Sequence, residues 1–155
     1  MALIGSLMKT DMIKVAPDAR VLDAVDLMAQ NHVGAVLVVK GDALKGILSE
    51  RDVLTRVVVE GREPASTAVS EVATKEVVSV DIGTHVRKCA ELLLAMDVRH
   101  LPVTEDGRPV GILSSRDFLV YVVGGLERVI DRFQYKEGLG EGEDPYDHLG
   151  GSYGR

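Results

Sequence analysis

Cysteine is almost missing from this 155-residue chain, where Cys89 stands alone. A single thiol excludes an internal disulfide framework and a cysteine-rich zinc site. Set in an apolar helical stretch, it reads as a buried thiol in a protein of the reducing cytoplasm. Tryptophan is absent and aromatic residues make up 4% of the chain, so stacked rings are a poor means of holding a planar ligand here. Positive charge is also short. A net charge of −6 supplies no broad basic surface, and counterion release from phosphates, which drives non-specific nucleic-acid binding, is not expected. His32, His85, His100 and His148 show no metal-ligand spacing with one another or with Cys89, which argues against a zinc or iron site. No run approaches the ~20 apolar residues needed to span a bilayer. Met1 to Leu7 lacks the basic start and long apolar stretch of a secretion signal. No glycine-rich loop leads into Lys-Ser or Lys-Thr, and the lone cysteine lacks a nucleophile's loop setting, so an active site of its own is not expected.

What the chain does have is duplication. Gly46-Ile47-Leu48-Ser49-Glu50-Arg51-Asp52 returns as Gly111-Ile112-Leu113-Ser114-Ser115-Arg116-Asp117, a shift of 65 (111 − 46). The same shift pairs Val15 with Val80, Val21 with Val86, Leu27 with Leu92, Val38 with Val103 and Leu54 with Leu119. One unit of this length buries too little to stand alone, so the two copies should pack together and leave paired, symmetry-related clefts. With 46% hydrophobic and 27% charged residues, the chain has the composition of one soluble globular domain built from two halves.

Within each copy the periodicity changes in a fixed order. Met12 to Val15 reads as a short strand stopped by Pro17, and Val21 to Met28 repeats at helical spacing with Asp18 placed to cap it. Two β-branched runs, Ala35 to Val39 and Leu44 to Leu48, flank Gly41-Asp42 as a hairpin, and a helix follows from about Arg51 to Val59. The second copy repeats this with Val77 to Val80, a helix from about Val86 to Met96, strands around Leu101 to Val103 and Val110 to Leu113, and a helix from about Arg116 to Val123. The fold class is therefore α+β, with two β-α-β-β-α repeats related by a pseudo-twofold. The boundaries expected are residues 4–60 and 70–124 for the repeats, 61–69 for a polar linker, 125–134 for a short amphipathic helix covering apolar surface, and 135–155 for a mobile acidic, glycine-rich tail.

The repeated Ser-x-x-Asp has two readings. A serine closing a strand with an acid three residues on is close to a capping box, in which Ser49 and Asp52 merely tie off a helix start. Glu or Gln is the usual partner in that motif, yet both copies carry the shorter Asp preceded by Arg. Such a pair can offer a carboxylate to vicinal ribose hydroxyls and a guanidinium to a phosphate.

These motifs, together with Val33 to Val39, Val98 to Val103 and the Met8-Lys9-Thr10-Asp11-Met12 opening, make residues 4 to 123 resemble tandem cystathionine-β-synthase (CBS) domains, the Bateman module. The resemblance implies a regulatory, non-enzymatic module that binds AMP, ADP or ATP, or alternatively S-adenosylmethionine or NADH, without a catalytic cofactor. It also implies that each cleft joins one copy's Ser and Asp to the other copy's opening segment and first hairpin strand. One cleft would combine Ile47, Ser49, Arg51 and Asp52 with Ala73, Val78, Val98, Arg99 and His100. The other would combine Ile112, Ser114, Arg116 and Asp117 with Met8, Ile13, Val33, Gly34 and Ala35. Asp52 and Asp117 would hold ribose, and adenine would rest on aliphatic side chains. His100 either assists phosphate binding or is an ordinary strand-end histidine. Because Met8-Lys9-Thr10 becomes Ala73-Thr74-Lys75, the clefts are chemically unequal, and Arg99 and His100 suggest that phosphate discrimination resides in the Asp52 cleft. The family further implies a homodimer burying the helices Val21 to Met28 and Val86 to Met96, and a regulated protein partner of unknown identity. The alternatives are an assembly module with vestigial clefts, Ser49 and Ser114 serving only as caps, or slow nucleotide hydrolysis by Asp52 or Asp117.

Overall fold

Runs of β-branched residues favour extended chain, and a two-residue turn folds each run back on the next. In the computed structural model, which describes residues 2–136, β2 (Ala35–Lys40) pairs antiparallel with β3 (Ala43–Ser49), and β1 (Lys14–Val15) adds in parallel to β2. The second copy repeats the three-stranded sheet with β4 (Val80–Asp81), β5 (His100–Glu105) and β6 (Arg108–Ser114). Its hairpin turns on Asp106 and Gly107, both at positive φ, as a tight turn matched to strand twist requires.

Helices α1 (Val21–Asn31) and α4 (Val86–Ala95) bury their apolar faces in their own repeats. Val21, Ala24 and Met28 join Val36, Val38 and Leu48 in one core, while Cys89 and Leu93 join Leu101, Val103 and Leu113 in the other. Leu22 of α1 and Leu94 of α4 remain exposed beside these buried residues. Asp18 does not cap α1. Arg20 occupies the N-cap position in extended conformation, and its guanidinium donates to Asp23 in the first turn instead. Burial raises the Cys89 thiol pKa, in keeping with a structural role.

The opening segment of each repeat packs into the core of the other. Ile4, in a 3₁₀ turn over Ile4–Ser6, lies fully buried in the second repeat's core, and Val69 and Val72 of α3 (Val69–Val72), with Ala73 just after it, lie in the first. Each opening segment crosses to the other copy through matched contacts. The amide of Ile4 donates to the carbonyl of Thr84, and that of Val69 to the carbonyl of Ala19. Lys9 bridges Ile112 just as Thr74 bridges Ile47, and the 65-residue shift converts each pair into its counterpart.

That crossing explains a duplicated glycine. A Cβ at Gly46 would come within 2.9 Å of the Thr74 carbonyl oxygen, and one at Gly111 would collide with the Met8 side chain and come within 3.0 Å of the Lys9 carbonyl oxygen. In both copies the backbone of the crossing segment is the obstacle. Gly46→Ala and Gly111→Ala are therefore each expected to cost about 1–3 kcal/mol through overpacking. Urea unfolding midpoints check this, and an unchanged Gly46→Ala midpoint would show that the crossing segment moves freely.

After β3, α2 (Glu50–Val53) continues as a wider π-type turn over Leu54–Val58. After β6, the helix expected over 116–123 and the separate one over 125–134 form one continuous α5 (Ser115–Lys136), which runs through Gly124 and Gly125. The chain divides into a unit ending at Phe118, which holds both sheets, and a second beginning at Leu119. Leu126, Val129, Ile130 and Phe133 are exposed. Tyr135 and Lys136 end the helix, and the rest of the tail expected over 135–155 lies outside the described residues. No described helix is long and apolar enough to cross a membrane.

Candidate functional site

Ser49 ends β3 in extended conformation, so its side chain faces the first turn of α2. The Ser49 amide and hydroxyl both donate to Asp52 Oδ2 at 2.9 Å, and the Asp52 amide donates back to Ser49 Oγ at 3.3 Å. Ser114 and Asp117 repeat the arrangement, with amide and hydroxyl donating to Asp117 Oδ2 at 3.2 and 2.5 Å. The capping geometry is thus present in both copies, and what distinguishes them is the second carboxylate oxygen. Asp52 Oδ1 accepts from Thr74 Oγ1 at 3.3 Å and lies 3.5 Å from Arg56, whose other bond, to the Val72 carbonyl, ties it to the crossing segment. Among the described residues, Asp117 Oδ1 meets only the exposed Lys9 ammonium, at 2.8 Å.

Burial pushes the Asp117 carboxyl pKa up, but hydrogen bonds from Lys9 and Ser114 outweigh it and hold the group below the ordinary aspartate value. At His100, burial and then Arg99 lower the imidazole pKa against the opposing pull of Glu50 and Asp117. The ring is therefore neutral near pH 7.

A cleft of about 690 Å³ opens over Asp117, lined by Ile13, Val33, Gly34, Ala35, Ile112, Ser114 and Arg116 as expected. One of about 250 Å³ opens over Asp52, lined by Ile47, Ser49, Arg51, Val78, Val98, Arg99 and His100 as expected. Two expected residues line neither. Ala73 is buried in the first core, and Met8 packs against the second. In extended chain successive side chains point opposite ways, so it is their neighbours Thr74 and Lys9 that meet the carboxylates. The changed opening triplet was the signal for both residues.

Phosphate discrimination by the Asp52 cleft alone is not supported. Arg99 and His100 line both clefts, and the larger also has Lys9 and Arg116. Its cations Lys9, Arg99 and Arg116 face Asp11, Glu50 and Asp117, whereas Arg51, Arg56 and Arg99 face Asp52, Glu76 and Asp97 in the smaller. Arg51, moreover, pairs with the exposed Asp97 at 3.2 Å. The clefts differ in size and in what holds the carboxylate, not in charge balance. Glu50 lies inside the motif and Arg56 one helical turn after Asp52, so both were legible locally, whereas Asp97 meets Arg51 only through the packing of the two copies. Among the described residues no cluster of His, Cys, Asp and Glu has metal-binding geometry.

Comparison with known proteins gives a consistent picture. A profile of the CBS domain matches residues 4–59 and 69–124. The chain is 33% identical over 120 residues to the CBS domain-containing protein YhcV of Bacillus subtilis, covering 77% of this chain and 85% of that protein. The crystal structure of the CBS domain protein NE2398 superposes with a TM-score of 0.76 at 33% identity, covering 79% of this chain and 99% of that one. A putative signal-transduction protein with CBS domains from Burkholderia ambifaria gives a TM-score of 0.75 at 32% identity, covering 79% and 95%.

Proposed function

Because this chain belongs to the CBS-domain family, with one domain in each repeat, we propose that it is a regulatory module whose Asp117 cleft takes an adenine nucleotide of the AMP, ADP or ATP type. The observation that carries this reading is the composition of that cleft. At about 690 Å³ it lies within the range of sites that enclose small molecules. Ile13, Val33, Leu37 and Ile112 supply aliphatic surface for adenine without a ring to stack on. Asp117 offers a carboxylate to the ribose hydroxyls once Lys9 swings aside, and Lys9, Arg99 and Arg116 are placed for phosphate. An arriving phosphate would also favour the protonated form of His100.

A different reading suits the smaller cleft. Its volume is about 250 Å³, and Thr74 and Arg56 already hold the carboxylate oxygen that ribose would need. There Ser49 and Asp52 act as a cap that also fastens the crossing segment.

Thermal unfolding with AMP, ATP, NADH and S-adenosylmethionine tests the proposal. A ligand at 100 times its Kd adds about 2.7 kcal/mol of stability, a clear rise in Tm. AMP or ATP is expected to give it. A shift with NADH or S-adenosylmethionine alone would replace the ligand, and no shift with any of the four at millimolar concentration would leave both clefts structural.

A further inference from the structure

Helices α1 and α4 end in the same way. The His32 amide donates to the Ala29 carbonyl and the Val33 amide to the Met28 carbonyl, and the 65-residue shift turns these bonds into Asp97 to Leu94 and Val98 to Leu93. His32 and Asp97 are both left-handed, at φ 53° and 48°, a conformation that His and Asp enter more readily than most residues. The backbone thus presents a side chain at the same place beside each cleft, and only its chemistry differs. Asp97 lines the smaller cleft and His32 the larger.

That difference decides what the motif arginine does. Arg51 donates from one nitrogen to the Asp97 carboxylate at 3.2 Å and to the Asp97 carbonyl at 3.4 Å. Its counterpart Arg116 lines the larger cleft with His32, which has no carboxylate to offer. Among the described residues Arg116 forms no ion pair, and the nearby Asp117 is engaged by Lys9. Two clefts of equal charge balance therefore differ in which arginine is free.

We propose that His32 is a specificity-determining residue of the larger cleft: by withholding a carboxylate it leaves Arg116 free for the ligand's phosphate, whereas Asp97 ties up the matching arginine in the smaller. This rests on the nucleotide reading and adds to it the reason that phosphate selects one cleft. Guanidinium pairs bidentately with phosphate, and an arginine already paired must first give up its carboxylate.

Calorimetric titration of the full chain with AMP and with adenosine tests this. His32→Asp keeps a residue suited to the left-handed turn, and its carboxylate should capture Arg116 as Asp97 captures Arg51. AMP binding is expected to weaken at least ~5-fold, the worth of one exposed ion pair, with adenosine affinity held within about twofold. His32→Asn fits the same turn without charge and should hold AMP affinity within about twofold. In an Arg116→Ala background His32→Asp should cost less than in the wild type, because the arginine it captures is already gone. AMP affinity unchanged by His32→Asp, while the wild type binds, overturns this inference alone. So does a loss shared equally by adenosine or by His32→Asn, and so do fully additive losses with Arg116→Ala. A wild-type chain that binds no AMP overturns the nucleotide reading and this inference together.

Discussion

Ile4→Ala is expected to destabilise the protein by about 2–5 kcal/mol, the range for truncating a buried isoleucine to alanine. By position Ile4 looks like a dispensable residue near the start of the chain. It is nevertheless fully buried, among Val80, Cys89, Leu93, Leu101, Val103 and Leu113 of the other repeat. Neighbouring backbone is fastened there as well, with the Val86 amide donating to the Ala2 carbonyl. Removing three carbons leaves a cavity in a core this segment does not adjoin in sequence, and it loosens the chain that carries Lys9 to Asp117. Nucleotide affinity at the larger cleft should fall along with stability. Val69→Ala, the counterpart in the first core, removes fewer carbons and should cost less. Urea unfolding measures both, and a loss below ~0.5 kcal/mol for Ile4→Ala, outside the range for a filled core site, would show that the segment does not hold its place.

The second large effect concerns ligand rather than fold. Asp117→Ala should weaken AMP binding by roughly 10- to 150-fold, the equivalent of losing hydrogen bonds to a charged acceptor worth ~1.5–3 kcal/mol. Asp52→Ala should change AMP affinity far less, because Thr74 and Arg56 occupy its free oxygen. Each alanine also removes half of a capping box, at about 0.5–2 kcal/mol of stability. Asp117→Asn separates the roles: the amide oxygen still accepts from Ser114, but the charge that draws Lys9 and suits the ribose hydroxyls is gone. Calorimetric titration of the three variants decides the matter, and equal AMP losses at the two aspartates would remove the distinction between the clefts. Acid provides an independent check. With its pKa depressed in the folded state, Asp117 contributes stability that is fully present above roughly pH 4, the ordinary aspartate value, and lost as pH falls through its lower folded value. The gap in stability between wild type and Asp117→Ala should therefore close in that acidic window.

The sequence by itself determined the duplication, the order of strands and helices, and the pairing of Ser49 with Asp52 and Ser114 with Asp117. Each follows from short-range chemistry: β-branched runs extend, 3.6-residue periodicity coils, and a serine three residues before an acid closes a cap. Sixteen of the eighteen residues expected in the clefts line them, because a repeat that preserves its motif preserves its local geometry. Tertiary structure decided what those elements meet. Periodicity marks Val21 and Cys89 as apolar without saying whether their own sheet or another chain covers them. It also places Leu126 and Ile130 on one stripe without saying that the stripe remains exposed. The exchange of opening segments was implied by the resemblance, but the burial of Ile4 in the second core and the placing of Lys9 rather than Met8 against Asp117 rest on contacts between residues far apart in the chain. Their pairing depends on how two equal units fit together, a property that no local pattern encodes.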